Sequence, residues 1–416
     1  MINQQVTKNV DINLSTHPAL NNSSNIPPSL GENSKVNQVG SLDQRNSKEL
    51  VIDFDLLRKS HIELLHAVME SLVISQKNSK EIQEAISRFN DQNLFDCIEY
   101  QPNVEELPIM AELVEHKSDG TDTQPTLDSV KKSVFEAFGG IKIRVLSPRS
   151  FVENNLMSIS KMRTDYLTND KKWNFPTLAG LDLGSEDTHS YHIVISANNT
   201  NMPLASVRLV IPRKPKKGLS DTEIEDPKKR ASFLKKLEYM AANTLDVSPV
   251  DGKSSMDQLA NSPLSKSIIK QIQSGRFHSI ERLVLQSHES FHNAYPEVRY
   301  KFYVSVILPA IMSELAALSM ASHINQSLVQ CDPMFYMFIN YILGKDTGVI
   351  DVGEIKQVKA DGTDDTCFMG IVDFPAALNY TQETNPALSS LTKKRFESLS
   401  SNQNGRLLNY NLQEEL

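Results

Sequence analysis

The stretch 278-HSIERLVLQS-287 decides the architecture, because its core from Ile280 to Leu285 fits two incompatible structures. Periodicity alone does not separate a short apolar strand from a buried helix. As a strand, the core lies inside a sheet and places Glu281 and Arg282 there. As a helix, it runs on into 288-HESFH-292 and sets His288 and His292 one turn apart. Charged side chains inside an apolar strand are costly unless paired. The strand reading therefore requires carboxylate partners for Arg282 elsewhere in the chain.

Toward the C-terminus, 302-FYVSVILPAIMSELAALSMA-321 is long and apolar but carries Pro309 and Glu314 near its centre. A charge at mid-bilayer is expensive, so this reads as a buried core helix, about 297–322, and not as a transmembrane segment. A second helix, 333-PMFYMFINYIL-343, starts with Asp332 as N-cap and Pro333 at the first helical position, and closes at Gly344. Segments 354-EIKQVKA-360 and 367-CFMGIVDF-374 read as closing strands. Toward the N-terminus, Ile141, Ile143 and Val145 alternate with Lys142 and Arg144 as a strand ending before Pro148. A helix follows in 150–167. Then 190-SYHIVIS-196 and 204-LASVRLVIP-212 form a hairpin about 198-NNTN-201. A polar insertion, about 213–276, holds one helix in 228–245. This order predicts an α/β fold with a mixed central sheet flanked by helices.

The ends carry less. Residues 1–48 hold nine Asn, seven Ser and no aromatic side chain, which predicts a disordered leader. Between 49 and 139 apolar residues recur at helical spacing, as in Leu57, Leu64, Val68 and Leu72, and again in Leu127, Val130, Val134 and Phe138. This predicts a helical extension stopped by Gly139-Gly140. The polar stretch 381–416 reads as a C-terminal tail, leaving 140–380 as the main domain.

A net charge of -8 argues against nucleic-acid binding, although 213-RKPKK-217 and 228-KKR-230 are local basic runs able to face an acidic carrier protein or water. Cys97, Cys331 and Cys367 are odd in number and far apart, as expected of reduced thiols in a cytoplasmic protein. The opening MINQQVTKNV has no apolar signal core. The C-terminal 411-NLQEEL-416 reads as a solvated tail or as a secretion address.

The helix reading of 288-HESFH-292 implies a zinc hydrolase. His288 and His292 would be ligands, Glu289 the general base and Glu314 the third ligand. Against it, Ser287 and Ser290 surround the motif and Pro296 follows closely, as in a polar turn after a strand.

A second constellation is more extensive. In 163-RTDYLTNDKKWNF-175, Arg163 precedes Leu167 by four residues and Trp173, the single tryptophan, by ten. Asp182, Glu186, Asp187, Ser190 and His192 follow before a strand. Arg208 and Arg282 then sit inside two apolar strands and call for carboxylates, for which Asp182, Glu186, Asp187 and Glu281 are available.

These runs, R-x3-L-x5-W, an acidic cluster ending in E-D, S-x-H, P-x-A-S-x-R-L-x-x-P, x-E-R-L and D-P-x-x-Y, resemble the acyl-homoserine-lactone synthases. They are more similar still to the long-chain N-acyl amino acid synthases and the exosortase-associated acyltransferases, all of GNAT fold. The resemblance spans roughly Ile141 to Phe374. Leu167 replaces the usual Phe, Gly184 replaces an Asp, and the carboxylate of E-x-S-R stands at Glu281, two residues nearer the arginine. The glycine-rich coenzyme A loop of ordinary acetyltransferases is missing after Leu285.

The resemblance implies an N-acyltransferase without a tightly bound cofactor. Its co-substrate would be acyl-CoA, or acyl-phosphopantetheine on an acyl carrier protein, and its acceptor a small-molecule amine of amino-acid type. It implies two splayed strands forming a slot and a bulged backbone N–H near Arg208 to Val210 as oxyanion donor. Glu281 would act as proton acceptor, with Arg208, Asp187 and Arg282 around it. Arg163, Trp173, Asp182, His192 and Tyr336 would contact substrate. A catalytically silent binding module remains a third reading, since fold alone does not establish activity.

Overall fold

The computed structural model describes residues 97–114, 125–147, 150–151, 156–173, 181–182, 187, 190–210, 217–236, 247–248, 259–274, 276–359 and 361–402. The expected leader, the helical spacing between 57 and 72, and the last residues from 403 to 416 lie outside them.

Among the described residues nine strands form one sheet: β1 (Cys97–Tyr100), β2 (Ile141–Leu146), β3 (Ser190–Ala197), β4 (Pro203–Val210), β5 (Val247–Ser248), β6 (Phe277–Leu285), β7 (Gln326–Cys331), β8 (Val349–Val358) and β9 (Asp364–Asp373). Their order is β1-β2-β3-β4-β6-β7-β9-β8-β5. All neighbours pair antiparallel except β6 and β7. A parallel pair needs a crossover connection, and the apolar helix predicted between them provides it. The 278–287 stretch is therefore a central strand, and the fold is the mixed α/β architecture expected.

The longer helices among the described residues are α1 (Leu127–Ala137), α2 (Leu156–Thr164), α3 (Pro227–Lys236), α4 (Ser265–Gln273), α5 (His288–Ala294), α6 (Tyr300–Ala321), α7 (Pro333–Leu343), α8 (Phe374–Thr384) and α9 (Pro386–Asn402). Among them α6 has the length and apolar character of a membrane span, but 94% of its most apolar window is buried inside the protein. It packs on β3 and β4, with α1, α8 and α9 around it. Its Tyr303 hydroxyl donates to the Leu204 carbonyl and accepts from the Gln286 amide, pinning the helix to the ends of β4 and β6. The insertion is more than a polar loop. Phe233 and Leu234 of α3 and Ile268, Ile269 and Ile272 of α4 bury against Phe277, Leu328, Met369 and Ile371 of the sheet.

Four expectations change. Part of the extension is extended: Cys97 to Tyr100 pair with Leu146 to Ile143 and add β1 to the sheet edge. Four residues are too few for a period to show. The long helix expected over 150–167 gives way to a π-helical turn at Asp165–Asp170.

The 288-HESFH-292 segment is a short helix and not the polar turn expected. Ser287 caps it by accepting the Ser290 amide. Phe291 stacks on Tyr303 at 4.2 Å and meets Phe138 edge-on, so one aromatic anchor holds the turn in place.

The polar tail after 381 is helical through Asn402. In α9, Leu388, Leu391 and Leu399 are buried together with Arg395. Arg395 grips the carboxylate of Glu314 on α6 with Nε at 2.7 Å and Nη2 at 2.8 Å. The two residues that look out of place in their segments are partners. Breaking a buried pair from one side strands the other charge and costs about 3–5 kcal/mol, whereas apolar replacement of both costs much less. Arg395→Ala should lower the unfolding free energy by about that amount in urea titration, and Glu314→Leu with Arg395→Met should recover most of it. An Arg395→Ala midpoint equal to wild type would contradict this pairing.

Candidate active site

Register sets the first layer of the site. His192 on β3 lies opposite Arg208 on β4, which lies opposite Glu281 on β6, so three polar side chains form a row across the sheet. Arg163, in the last turn of α2, descends on that row. Asp187 joins them: one carboxylate oxygen accepts from Arg163 Nη1 at 3.0 Å and from Arg208 Nη1 at 3.1 Å. Arg208 Nη2 reaches Glu281 Oε2 at 2.5 Å, and the Ser279 hydroxyl donates to the other oxygen of Glu281 at 3.3 Å. Arg282 Nε binds Asp182 at 2.7 Å, and the Asp182 amide is held by the Thr164 hydroxyl at 2.7 Å. Three guanidiniums thus face three carboxylates, the balance that makes their burial tolerable.

His192 belongs to this frame. Arg163 Nη2 donates to His192 Nδ1 at 2.9 Å, leaving the ring proton on Nε2, which faces the Asp187 carbonyl at 3.4 Å. Phe151 stacks on the imidazole at 3.7 Å. Burial, with Arg163 alongside, pushes the imidazole well below its ordinary range and keeps it neutral. His192 therefore orients Arg163 and has no contact with the cleft. Of the three carboxylates only Glu281 is reachable: its side chain is 13% exposed, against 3% for Asp182 and 5% for Asp187.

The cleft follows from how β6 is paired. Between the pairs Ser206–Val284 and Arg208–Glu281, β4 has one residue and β6 has two. Arg282 adopts φ 54°, so β6 bulges and turns there. The expected bulge at Arg208 to Val210 is thus on the partner strand, since Leu209 and Val210 pair regularly with Ile280 and Ser279. On its other side, β6 pairs with β7 only as far as Ile280–Val329. Beyond that point β6 bends at its bulge, while β7 stops at Cys331, where Asp332 caps α7 by accepting the Met334 and Phe335 amides. The strands separate, and a narrow cleft of about 50 Å³ opens between Glu281–Val284 and Val329–Asp332.

The π-turn roofs this cleft with Tyr166 and Leu167, and Trp173 follows just after it. Two contacts hold the roof down. Lys171 Nζ meets Asp332 at 3.1 Å, and the Trp173 indole N–H donates to Asp365 at 3.0 Å while its backbone bridges to Lys359.

The structure therefore brings Arg163, Asp187, His192, Arg208 and Glu281 together, with Arg282 and Asp182 beside them and Trp173 on the cleft wall. Tyr336 stays apart: its ring stacks on Phe368 at 4.8 Å, and a Cβ at Gly370 would come within 3.2 Å of it. Its place is packing between α7 and β9. Tyr166, Cys331 and Phe335 join the cleft without sequence warning, because their proximity depends on the π-turn and on where β7 stops.

The zinc arrangement does not assemble. His288 and His292 share a helix face, with ring centroids 6.3 Å apart, but Glu314 is occupied on both oxygens by Arg395. Among the described residues no three potential ligands cluster.

No protein-family model and no curated protein matches the sequence. Among solved structures, the chain is similar to MesI, a CoA-dependent acyl-homoserine lactone synthase, at 12% identity and TM-score 0.32, over 61% of this chain and 94% of that one. It is also similar to FeeM, an N-acyl amino acid synthase from uncultured soil microbes, at 10% identity and TM-score 0.32, over 57% and 94%. The acyl-homoserine lactone synthase LasI matches at 11% identity and TM-score 0.29, over 53% and 82%. Likeness at this level assigns no activity, so the functional reading rests on the residues of the cleft.

A second buried histidine makes the acid behaviour of this region testable. His278 lies on β6 three residues before Glu281, and burial holds it down to about 3. The folded group thus stays neutral while the unfolded one takes a proton below about pH 6.5. Below that pH the unfolded state binds more protons, so stability falls as the pH falls, by about 1.4 kcal/mol per pH unit for this one group, until the folded histidine also titrates. Between pH 6 and pH 5, the unfolding free energy of His278→Leu should decline less steeply than that of wild type by about this slope. Equal slopes would show that His278 is not held neutral.

Proposed function

We propose that the protein is an acyltransferase that moves an acyl group from a thioester, acyl-CoA or acyl carrier protein, to the amine of an amino-acid-like acceptor. The observation that supports this most is the coincidence of two features. The cleft opens along the edge of β6 that loses its β7 partner after Ile280, and Glu281, the exposed member of the carboxylate set, stands in its wall.

In this reading the thioester lies between β6 and β7 with its carbonyl oxygen toward the unpaired backbone N–H groups of β6. The acceptor nitrogen attacks the carbonyl carbon. Negative charge gathers on the oxygen, where fixed backbone dipoles stabilise it at no reorganisation cost. Glu281 takes the proton that the nitrogen sheds, directly or through a water. The C–S bond then breaks, the amide remains on the acceptor, and the thiolate leaves and is protonated.

Arg208 holds Glu281 in its rotamer. Asp187 and Arg163 hold Arg208, so their part is to position and not to react. Trp173 and Leu167 cover the donor. Arg282 and Asp182 fix the bulge that turns β6 away from β7. The acceptor enters from the side on which Glu281 is exposed. The missing glycine-rich loop supports a donor gripped mainly by its arm and its carrier.

Thiol release from acyl-CoA and acyl carrier protein thioesters, with a panel of amino acids as acceptors, tests the reading. Glu281→Gln should lower kcat by about 10²- to 10⁴-fold while the variant remains folded by circular dichroism. Thiol release at the wild-type rate would remove Glu281 from the chemistry, and no release by wild type from any thioester would favour a silent module.

A further inference from the structure

The cleft is apolar along most of its wall, through Leu167, Ile280, Leu283, Val284, Val329 and Phe335. Among its polar members, which include Glu281, Arg282, Gln330 and Asp332, Tyr166 carries a hydroxyl left without a partner among the described residues. Tyr166 is 4% exposed, and that hydroxyl is buried. The ring is fixed on both sides, 5.9 Å from Phe335 and with Lys171 Nζ 5.3 Å from its centroid. Burial, with the Asp332 carboxylate nearby, raises the phenol well above its ordinary range, so it remains an O–H donor.

A fixed, buried donor without an acceptor is costly and rare in folded proteins. The sequence offers no packing reason for it, since Phe would fill the same space. A substrate that enters an apolar cleft and supplies an acceptor at that point gains the hydrogen bond without paying to order the side chain. A substrate lacking that acceptor leaves the hydroxyl stranded, which is how a single buried group discriminates between ligands.

We propose that Tyr166 is a substrate-positioning residue whose hydroxyl donates to a carbonyl oxygen of the thioester lying in the cleft. This rests on the acyltransferase reading and deepens it. The carbonyl has two possible sources, an amide of the pantetheine arm or an oxygen carried by the acyl chain.

Trp173 is the single tryptophan of the chain and lines the same cleft, so its fluorescence reports occupancy. Wild type and Tyr166→Phe are titrated with octanoyl-CoA and with 3-oxo-octanoyl-CoA, and kcat and KM are measured for both. Tyr166→Phe should weaken binding about three- to tenfold, the loss of one net hydrogen bond, with KM rising and kcat holding. An equal loss for both esters places the acceptor on the arm, and a loss confined to the 3-oxo ester places it on the acyl chain.

Tyr166→Phe should also unfold at or above the wild-type temperature, because no protein group loses a partner and the cost of a buried unpaired hydroxyl is removed. Unchanged binding of both esters would mean that water satisfies the hydroxyl, and would overturn the assignment while leaving the acyltransferase reading intact. A clear drop in unfolding temperature would reveal a partner within the protein and overturn it as well. If wild type binds neither ester, the assignment falls, while thiol release from acyl carrier protein thioesters decides the acyltransferase reading separately.

Discussion

A fully buried arginine at the centre of β4 is the constraint on which the rest depends. Arg208 has no exposed surface and lies mid-strand in a nine-stranded sheet, where an unpaired guanidinium would cost several kcal/mol. Its two neighbours in register are His192 and Glu281, and a further partner, Asp187, comes from outside the sheet. Asp187 in turn fixes Arg163, and through it the last turn of α2. One buried charge therefore dictates where a helix sits, which way a histidine proton points, and which carboxylate stands at the cleft.

The same logic links the frame to the cleft. The π-turn that roofs it is the direct continuation of α2, so the network that anchors Arg163 also sets the height of Tyr166, Leu167 and Trp173 above the splayed strands. The opening has two independent causes, a bulge at Arg282 on β6 and a helix cap at Asp332 after β7. The first is stabilised by Asp182 and the second by Lys171, and both of these lie on or beside the α2 and π-turn unit. A cleft held from both sides in this way is built before any ligand arrives, and preorganisation of this kind is what acyl transfer requires.

Much of this was legible in the sequence for a simple reason: charges in apolar strands are conspicuous. Arg208 and Arg282 demanded carboxylates, and Asp187, Glu281 and Asp182 were the ones supplied. Glu314 in an apolar helix gave the same signal, but its partner Arg395 hid in a polar segment that read as a tail, because the pair is separated by 81 residues. The bulge escaped because Arg282 is not a residue whose type announces a positive φ. Strand β1 escaped because four residues carry little periodicity, and its existence depends on a partner far along the chain. The 288-HESFH-292 segment misled in both directions: it is helical, as zinc binding would need, yet Phe291 explains the helix and Arg395 has already taken the third ligand.

The central claim is that the gap between β6 and β7 receives a thioester with its carbonyl next to Glu281. It is tested most directly by a crystal structure with a stable ketone analogue of an acyl-CoA, in which a methylene separates sulfur from carbonyl. The analogue should lie between the two strands beyond Ile280 and Val329, its carbonyl oxygen within hydrogen-bonding distance of a β6 backbone N–H and its carbonyl carbon on the side of the Glu281 carboxylate. An analogue bound elsewhere on the protein, with the gap between β6 and β7 empty, would contradict the account.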